Sequence, residues 1–418
     1  MSLGSEFGFR MRFKFERKPK LARRPPQAAC LPAMSIAIPL ETPTQAAAAA
    51  DLCVLCGLCL PHCPTYQLSS NESESPRGRI ALVDGLLRGR LKSDAALKAH
   101  IDSCLLCRKC ETACPSKVDY HSVIDTAREQ LGGSSAFAKQ LAKPKRMRLL
   151  SRIGRWLPSV HPLLKLNKAL PEGGDPPNAG VYSANRPSIG KVGLLTGCAT
   201  SFYQGGTLRA AIKLLNALGY VVVVKESVGC CGALAKHSGD RELAAQLMNV
   251  NEAAFKHVDT VISIATGCSG YLKDEASFEA DDIIGFLANS ETWSELSFKP
   301  LKMNLGLHRP CSQNNVLKEQ KALDALLSSI PSLNITELNP KGNCCGAAGD
   351  YMLSHAADAK KIRQPILDNA IQQPLDAVIS SNVGCAMHIA EGLDNPAVPV
   401  IHPIILLAQQ LEPEAQER

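Results

Sequence analysis

Sixteen of the seventeen cysteines in this chain fall into four sets of four, and their spacing constrains the fold more than any other feature. The first set is Cys53, Cys56, Cys59 and Cys63 in DLCVLCGLCLPHCPTY; the second is Cys104, Cys107, Cys110 and Cys114 in SCLLCRKCETACPSKV. Both follow C-x2-C-x2-C-x3-C-P. Three thiolates two residues apart let one tight loop wrap a corner of a metal–sulfur cluster. The proline after the fourth lacks an N–H and fixes φ, so it sends the chain away from the site. This is the spacing of [4Fe-4S] ligation, and where two clusters share a chain the fourth cysteine of each run serves the other cluster. That rule groups Cys53, Cys56 and Cys59 with Cys114, and Cys104, Cys107 and Cys110 with Cys63. The alternative is a pair of zinc sites, which usually present two separated C-x2-C pairs rather than three thiolates in one loop. Seventeen cysteines in a chain without a secretory signal also suit a reducing compartment, where thiolates bind metal instead of pairing as disulfides.

Between the two runs, Ile80, Val83, Leu86, Leu87 and Leu91 recur at three-and-four spacing, which predicts one long amphipathic helix. Compact ferredoxins built of paired hairpins do not insert such a helix, so an α-helical ferredoxin-like domain is expected, as in the iron–sulfur subunit of succinate dehydrogenase. Arg77 and Arg79, just inside this helix, read as solvated surface arginines; the competing reading has them facing a partner or tuning cluster charge.

From Lys191 onward the character changes. Strand-like KVGLLTGC, helical GGTLRAAIKLLNALGY and strand-like VVVVKES lead to VGCCGALAKHSG, then to the strand DTVISIATGC. The order repeats in LKMNLGLHRPC, VLKEQKALDALLSSI, GNCCGAAGDYMLSHA and LDAVISSNVGC. The cysteines keep step: 31 residues separate Cys198 from Cys230-Cys231 and 36 more precede Cys268, against 32 and 39 for Cys311, Cys344-Cys345 and Cys385. This is a duplicated unit of alternating strand and helix, and therefore a parallel α/β sheet in each half. Ligands of open α/β sheets gather at the carboxyl ends of strands, where these cysteines fall. Four thiols are expected to converge in each half; the alternative is free cysteine packed as a small hydrophobe.

The two Cys-Cys-Gly units resemble the cysteine-rich "CCG" domains of the heterodisulfide reductases. The full order resembles the glycolate oxidase iron–sulfur subunit family and its relatives in anaerobic glycerol-3-phosphate dehydrogenase. CVLCGLCLPHCPTY, SPRGRIALV, CCGAAGDY and VIHPIILLAQQ carry the likeness, which runs from about Met34 to the C-terminus. The resemblance implies a multidomain fold: an α-helical ferredoxin-like domain followed by duplicated α/β CCG domains with parallel sheets. It implies two [4Fe-4S] clusters on the eight N-terminal cysteines and a further iron–sulfur cluster on Cys198, Cys230, Cys231 and Cys268 or on Cys311, Cys344, Cys345 and Cys385. The heterodisulfide reductase pattern closes each unit with C-x-x-C, whereas Tyr271 and His388 stand at that second position here. The non-cubane clusters of that enzyme are therefore not implied, and His388 becomes a candidate nitrogen ligand in the second unit, which makes that unit the preferred site.

No G-x-G-x-x-G follows a strand, so no flavin or nicotinamide dinucleotide site is expected, and no catalytic triad or carboxylate pair is suggested. Oxidising a 2-hydroxy acid removes two electrons and a proton, a step that a flavin performs before handing electrons on singly. The chain accordingly reads as the iron–sulfur electron-transfer subunit of a membrane-associated glycolate dehydrogenase complex, without activity towards substrate alone. The resemblance implies flavin-containing dehydrogenase subunits as partners, with the quinone pool at the inner face of the cell membrane as the destination. Lactate and glycerol 3-phosphate are the alternative substrates, and a metal-bound scaffold without redox work is the alternative role.

The net charge of +7 lends no support to a nucleic-acid partner, because eight basic and two acidic residues before position 34 account for +6 of it. Residues 1–40 read as a basic tail outside the fold, MSLGSEF as a cloning remnant and Met34 as a plausible start. No apolar run reaches the ~18 residues of a membrane span. Residues 41–130 are assigned to the ferredoxin-like domain, 131–190 to a basic linker, 191–300 and 301–418 to the two CCG domains. Within the linker, Lys143, Lys145, Arg146, Arg148, Arg152 and Arg155 stand beside Leu149, Leu150, Ile153, Trp156 and Leu157, a pattern suited to a membrane interface or to docking on a partner.

Overall fold

The computed structural model describes residues 43–133, 136–141, 175–226 and 228–413. The basic tail and the basic amphipathic stretch of 143–170 lie outside these residues.

The first part is helical. Pro43–Asp51, Pro76–Leu87, Ala95–Asp102 and Tyr120–Gln130 pack around Ile80, Val83, Leu97, Ile101, Val123 and Ile124, and the two cysteine loops lie between these helices. Where one long helix was expected between the loops, there are two. Gly89 takes a left-handed φ of +67° after Leu87, and Leu91 folds back to donate its N–H to Gly85 O at 2.9 Å. Asp94 then caps the second helix by accepting from the Leu97 N–H at 2.8 Å.

The second part holds two sheets with the same topology. β2 (Gly190–Leu195), β3 (Tyr220–Val224), β4 (Thr260–Ser263) and β5 (Ala280–Asp282) lie in the spatial order β3-β2-β4-β5, all parallel. β6 (Met303–His308), β7 (Leu333–Glu337), β8 (Ala377–Ser380) and β9 (Val400–Ile401) lie in the order β7-β6-β8-β9, again all parallel. The short β1 (Gly180–Tyr182), in the stretch read as linker, adds an antiparallel edge to β3. Even the register agrees: Leu195 pairs with Ser263 in the first sheet, and His308 with Ser380 in the second. The near-continuous apolar runs Val221–Val224 and Ala377–Ile379 suit strands covered on both faces. One core joins the halves. The helix Gly205–Ala217 of the first buries Leu208, Leu214 and Leu215 together with Ile404 and Leu407 from Pro403–Gln410 of the second.

Candidate functional site

Each N-terminal cysteine loop is shaped by two left-handed residues at matching positions. In the first they are Leu55 (φ +56°) and Gly57 (φ +83°); in the second, Leu106 (φ +48°) and Arg108 (φ +55°). An arginine in a conformation that favours glycine needs anchoring, and Arg108 has it: Nε donates to Glu111 at 2.7 Å and Nη1 to Asp274 at 2.5 Å.

The fold brings the first three cysteines of each run together with the fourth of the other. Cys53, Cys56, Cys59 and Cys114 border one small cavity, with Cys110 at its edge; Cys63, Cys104, Cys107 and Cys110 border another, and Tyr120 stands between the two. Burial pushes the Cys59 thiol up and the Cys107 and Cys110 thiols well up. Such thiols ionise when a cation displaces the proton, which is the behaviour of a ligand set.

Arg77 and Arg79 serve these loops. Arg77 pairs with Glu72 at 2.7 Å and donates from Nη1 to Leu55 O at 2.9 Å, holding the first loop. Arg79 is not solvated, as the sequence suggested, but 1% exposed. It donates to Thr65 Oγ1, His100 O and Ser103 Oγ and pairs with Glu74. Thr65 in turn lies 3.3 Å from Cys63 Sγ. The correction has a physical cause: Ala95–Asp102 folds back over Pro76–Leu87 and buries a side chain that a single long helix would leave wet.

In the duplicated part, Cys198 and Cys311 lie three residues past β2 and β6, and Cys268 and Cys385 lie just past β4 and β8. The Cys-Cys pairs follow β3 and β7. All eight therefore reach the carboxyl ends of the sheets, beside the point where strand order reverses. In each half the thiols are in hydrogen-bonding reach in series: Cys198 with Cys230, Cys230 with Cys231, Cys231 with Cys268; likewise Cys311, Cys344, Cys345 and Cys385. Although the bond from Cys198 lowers it, the bond with Cys231 and burial push the Cys230 thiol up to about 12. Gly232 (φ +102°) and Gly346 (φ +84°) turn the chain after each pair. A Cβ on Gly346 would stand 2.6 Å from Ala359 O, so only glycine fits the second turn.

Both quartets line one cavity of about 560 Å³, which the second N-terminal loop also borders through Cys104 to Leu106 and Arg108. Asn315 donates to Cys107 O at 2.7 Å, and Lys109 reaches Lys341 O and Asn343, so this loop is pinned to the second half. Cys311 is close enough for its charge to add to the burial that raises the proton affinity of Cys107.

His388 does not face these thiols. Its Nε2 lies 3.2 Å from Ala359 O, while Arg363 stands 3.4 Å from Nδ1 and donates to the His388 carbonyl. The histidine that does face them is His308, which sequence reasoning passed over. It is fully buried, and its ring lies with the Cys345 and Cys385 thiols in a group whose ligand atoms are all within 4.8 Å of one another. Burial pushes its basicity down to about 3, so the ring is neutral. The signal was present in the sequence: three residues before the cysteine, the first unit has Leu195 and the second has His308.

The eight N-terminal thiols in two groups of four, and the orphaned ring nitrogen beside the second CCG quartet, fit iron–sulfur chemistry. Comparison with known proteins agrees. Residues 49–118 match the model of the 4Fe-4S dicluster domain, and residues 192–273 and 305–390 match that of the cysteine-rich domain. The glycolate oxidase iron-sulfur subunit of Escherichia coli is 28% identical over 400 residues, 87% of this chain and 94% of that one. The probable glycolate oxidase iron-sulfur subunit of Bacillus subtilis is 30% identical over 397 residues, 82% and 88%. Lactate utilization protein A of Bacillus subtilis is 25% identical over 230 residues, 51% of this chain and 96% of that one. A helical dicluster domain followed by two cysteine-rich units, in the order and over the length of these relatives, places the chain in the family of glycolate oxidase iron–sulfur subunits.

Proposed function

We propose that this chain is the electron-transfer subunit of a glycolate dehydrogenase complex, receiving electrons from flavin-containing subunits and delivering them towards membrane quinone. When bound, the clusters supply one-electron transfer. Cys53, Cys56, Cys59 and Cys114 would hold one [4Fe-4S] cluster, Cys63, Cys104, Cys107 and Cys110 a second. The second CCG unit would hold a further iron–sulfur centre through Cys311, Cys344, Cys345 and Cys385. The observation that carries the reading is the succession of thiol sets: Cys110 and Tyr120 border both of the first two cavities, and Cys107 is within electrostatic reach of Cys311. Thiol sets so close together suit electron relay better than isolated structural zinc. Arg77 and Arg79 hold the loops; burial of Cys63, Cys104 and Cys110 keeps water from the second set, while Cys56 of the first is exposed.

The coverage of lactate utilization protein A supports a second reading, with lactate as the complex's substrate; glycerol 3-phosphate is a further alternative. No helix among the described residues is long and apolar enough to cross a membrane. Attachment at the inner face would rest on the basic stretch at 143–170. Anaerobic reconstitution with iron and sulfide tests the proposal. We expect about twelve irons per chain, following from three four-iron centres, and loss of one cluster's signal in Cys56→Ala. Full retention of both N-terminal clusters in that variant would overturn the assignment. The purified chain alone should not oxidise glycolate or lactate, and should restore glycolate:quinone activity only when its flavin subunits are added.

A further inference from the structure

The two halves share topology and register, so each position in one has a counterpart in the other, and the counterparts differ at one place that matters. At the end of β2, Leu195 is 2% exposed and packs in an apolar cluster. At the end of β6 the same register position is His308, 0% exposed, opposite Ser380 as Leu195 is opposite Ser263. Its Nδ1 lies 3.0 Å from Ser380 Oγ. Its Nε2 is buried without a hydrogen-bond partner among the described residues, and a ring nitrogen of His308 lies within 4.8 Å of both Cys345 Sγ and Cys385 Sγ. Leaving a ring nitrogen unpaired in a core costs stability, and an apolar side chain fits the counterpart of this place in the first half. With Nδ1 engaged by Ser380, Nε2 is the nitrogen left over on a ring grouped with two thiols.

We infer that His308 is a direct nitrogen ligand, through Nε2, of the metal centre held by Cys345 and Cys385 in the second cysteine-rich unit. The inference rests on the proposal that this unit holds iron. With Nδ1–H donating to Ser380 Oγ, the tautomer is fixed and the Nε2 lone pair is left free for a metal, the usual outer arrangement of a ligating histidine. The first unit, with Leu195 at this position, has thiolates only. A four-iron centre takes four terminal ligands, so His308 would stand in for one of the unit's four thiolates; imidazole in place of thiolate removes negative charge from a cluster and raises its potential. The centre thus becomes more readily reduced than an all-thiolate one in the same place would be.

The full chain, labelled with 15N-histidine and reconstituted anaerobically with iron and sulfide, tests this by pulsed EPR of the reduced protein. A nitrogen coupling of the strong, directly bound kind is expected. It should vanish in His308→Cys, which keeps a donor in place, with the iron content unchanged. Optical redox titration, which needs no paramagnetic state, should show this centre shifted to lower potential in the same variant. A wild-type centre with no strong histidine coupling, a coupling that survives in His308→Cys, or an unmoved potential would each overturn the inference while leaving the unit's iron in place. Iron content that does not fall in Cys344→Ser/Cys345→Ser would instead overturn the proposal that the second unit holds iron, and the ligand with it.

Discussion

Arg79 shows how much a single buried charge organises. Its guanidinium joins the turn before Pro76–Leu87, the end of Ala95–Asp102 and Thr65 beside Cys63. Arg79→Met should cost about 3–5 kcal/mol, because it removes the buried guanidinium from the mostly buried Glu74 carboxylate, leaving it only His100 and Ser103; urea unfolding of matched samples would measure it. His121 offers a pH test. Burial works against its charge, but the Asp119 and Glu111 carboxylates, 2.6 and 3.4 Å from Nδ1, hold it up at about 10. A pKa raised by folding gives stability that is complete below the unfolded value of about 6.5 and fades as pH rises through the folded one. The stability difference between the natural chain and His121→Gln should therefore be constant up to about pH 6.5 and close as pH climbs to about 10, as followed by thermal unfolding. A difference independent of pH over that window would count against the ion pairs.

At the scale of elements, the turn after each Cys-Cys pair sets where its thiols point. Gly346→Ala should destabilise by more than about 1 kcal/mol, since alanine pays for the left-handed backbone and its Cβ meets Ala359 O. A lowered melting temperature with weakened iron retention is the expected result. Most elements were legible in the chain itself. Strand and helix periodicity gave both sheets, and the cysteine spacing gave both loops, because those features repeat at fixed intervals. Three things were not legible. The break at Gly89 was hidden because Leu91 continues the apolar spacing while folding back onto Gly85. Arg79 looked like surface because its burial comes from a helix packed over it. His388 was preferred because it stands where the related pattern has its extra cysteine, and His308 was passed over because the Leu195–His308 difference gains its meaning only once the register of β6 against β8 is known.

The whole molecule divides unequally. The sheets share one apolar core across the duplication, with Leu305, Leu307 and Leu323 packed in the same cluster as Leu194, Leu208 and Leu214. Residues 301–418 produced alone should aggregate, while 175–418 should remain monodisperse in size-exclusion chromatography; a well-behaved 301–418 fragment would show the halves to be independent. The helical part has a smaller core and lies where the crossed thiol sets meet. Stripping iron by chelation should therefore raise amide hydrogen exchange in Pro43–Asp51, Pro76–Leu87 and Tyr120–Gln130 well before it does so in β2, β4, β6 or β8. The crossing has a topological meaning as well. Cys114 closes back on Cys53, and Cys63 forward on Cys110, so each cluster would act as a cross-link between distant stretches of chain, one loop nested in the other. Closing such loops removes freedom mainly from the unfolded chain. Oxidative loss of either cluster would then free thiolates in both cysteine runs at once while the other still joins them, and only loss of both would let the helical part come apart as a unit while the sheets stand.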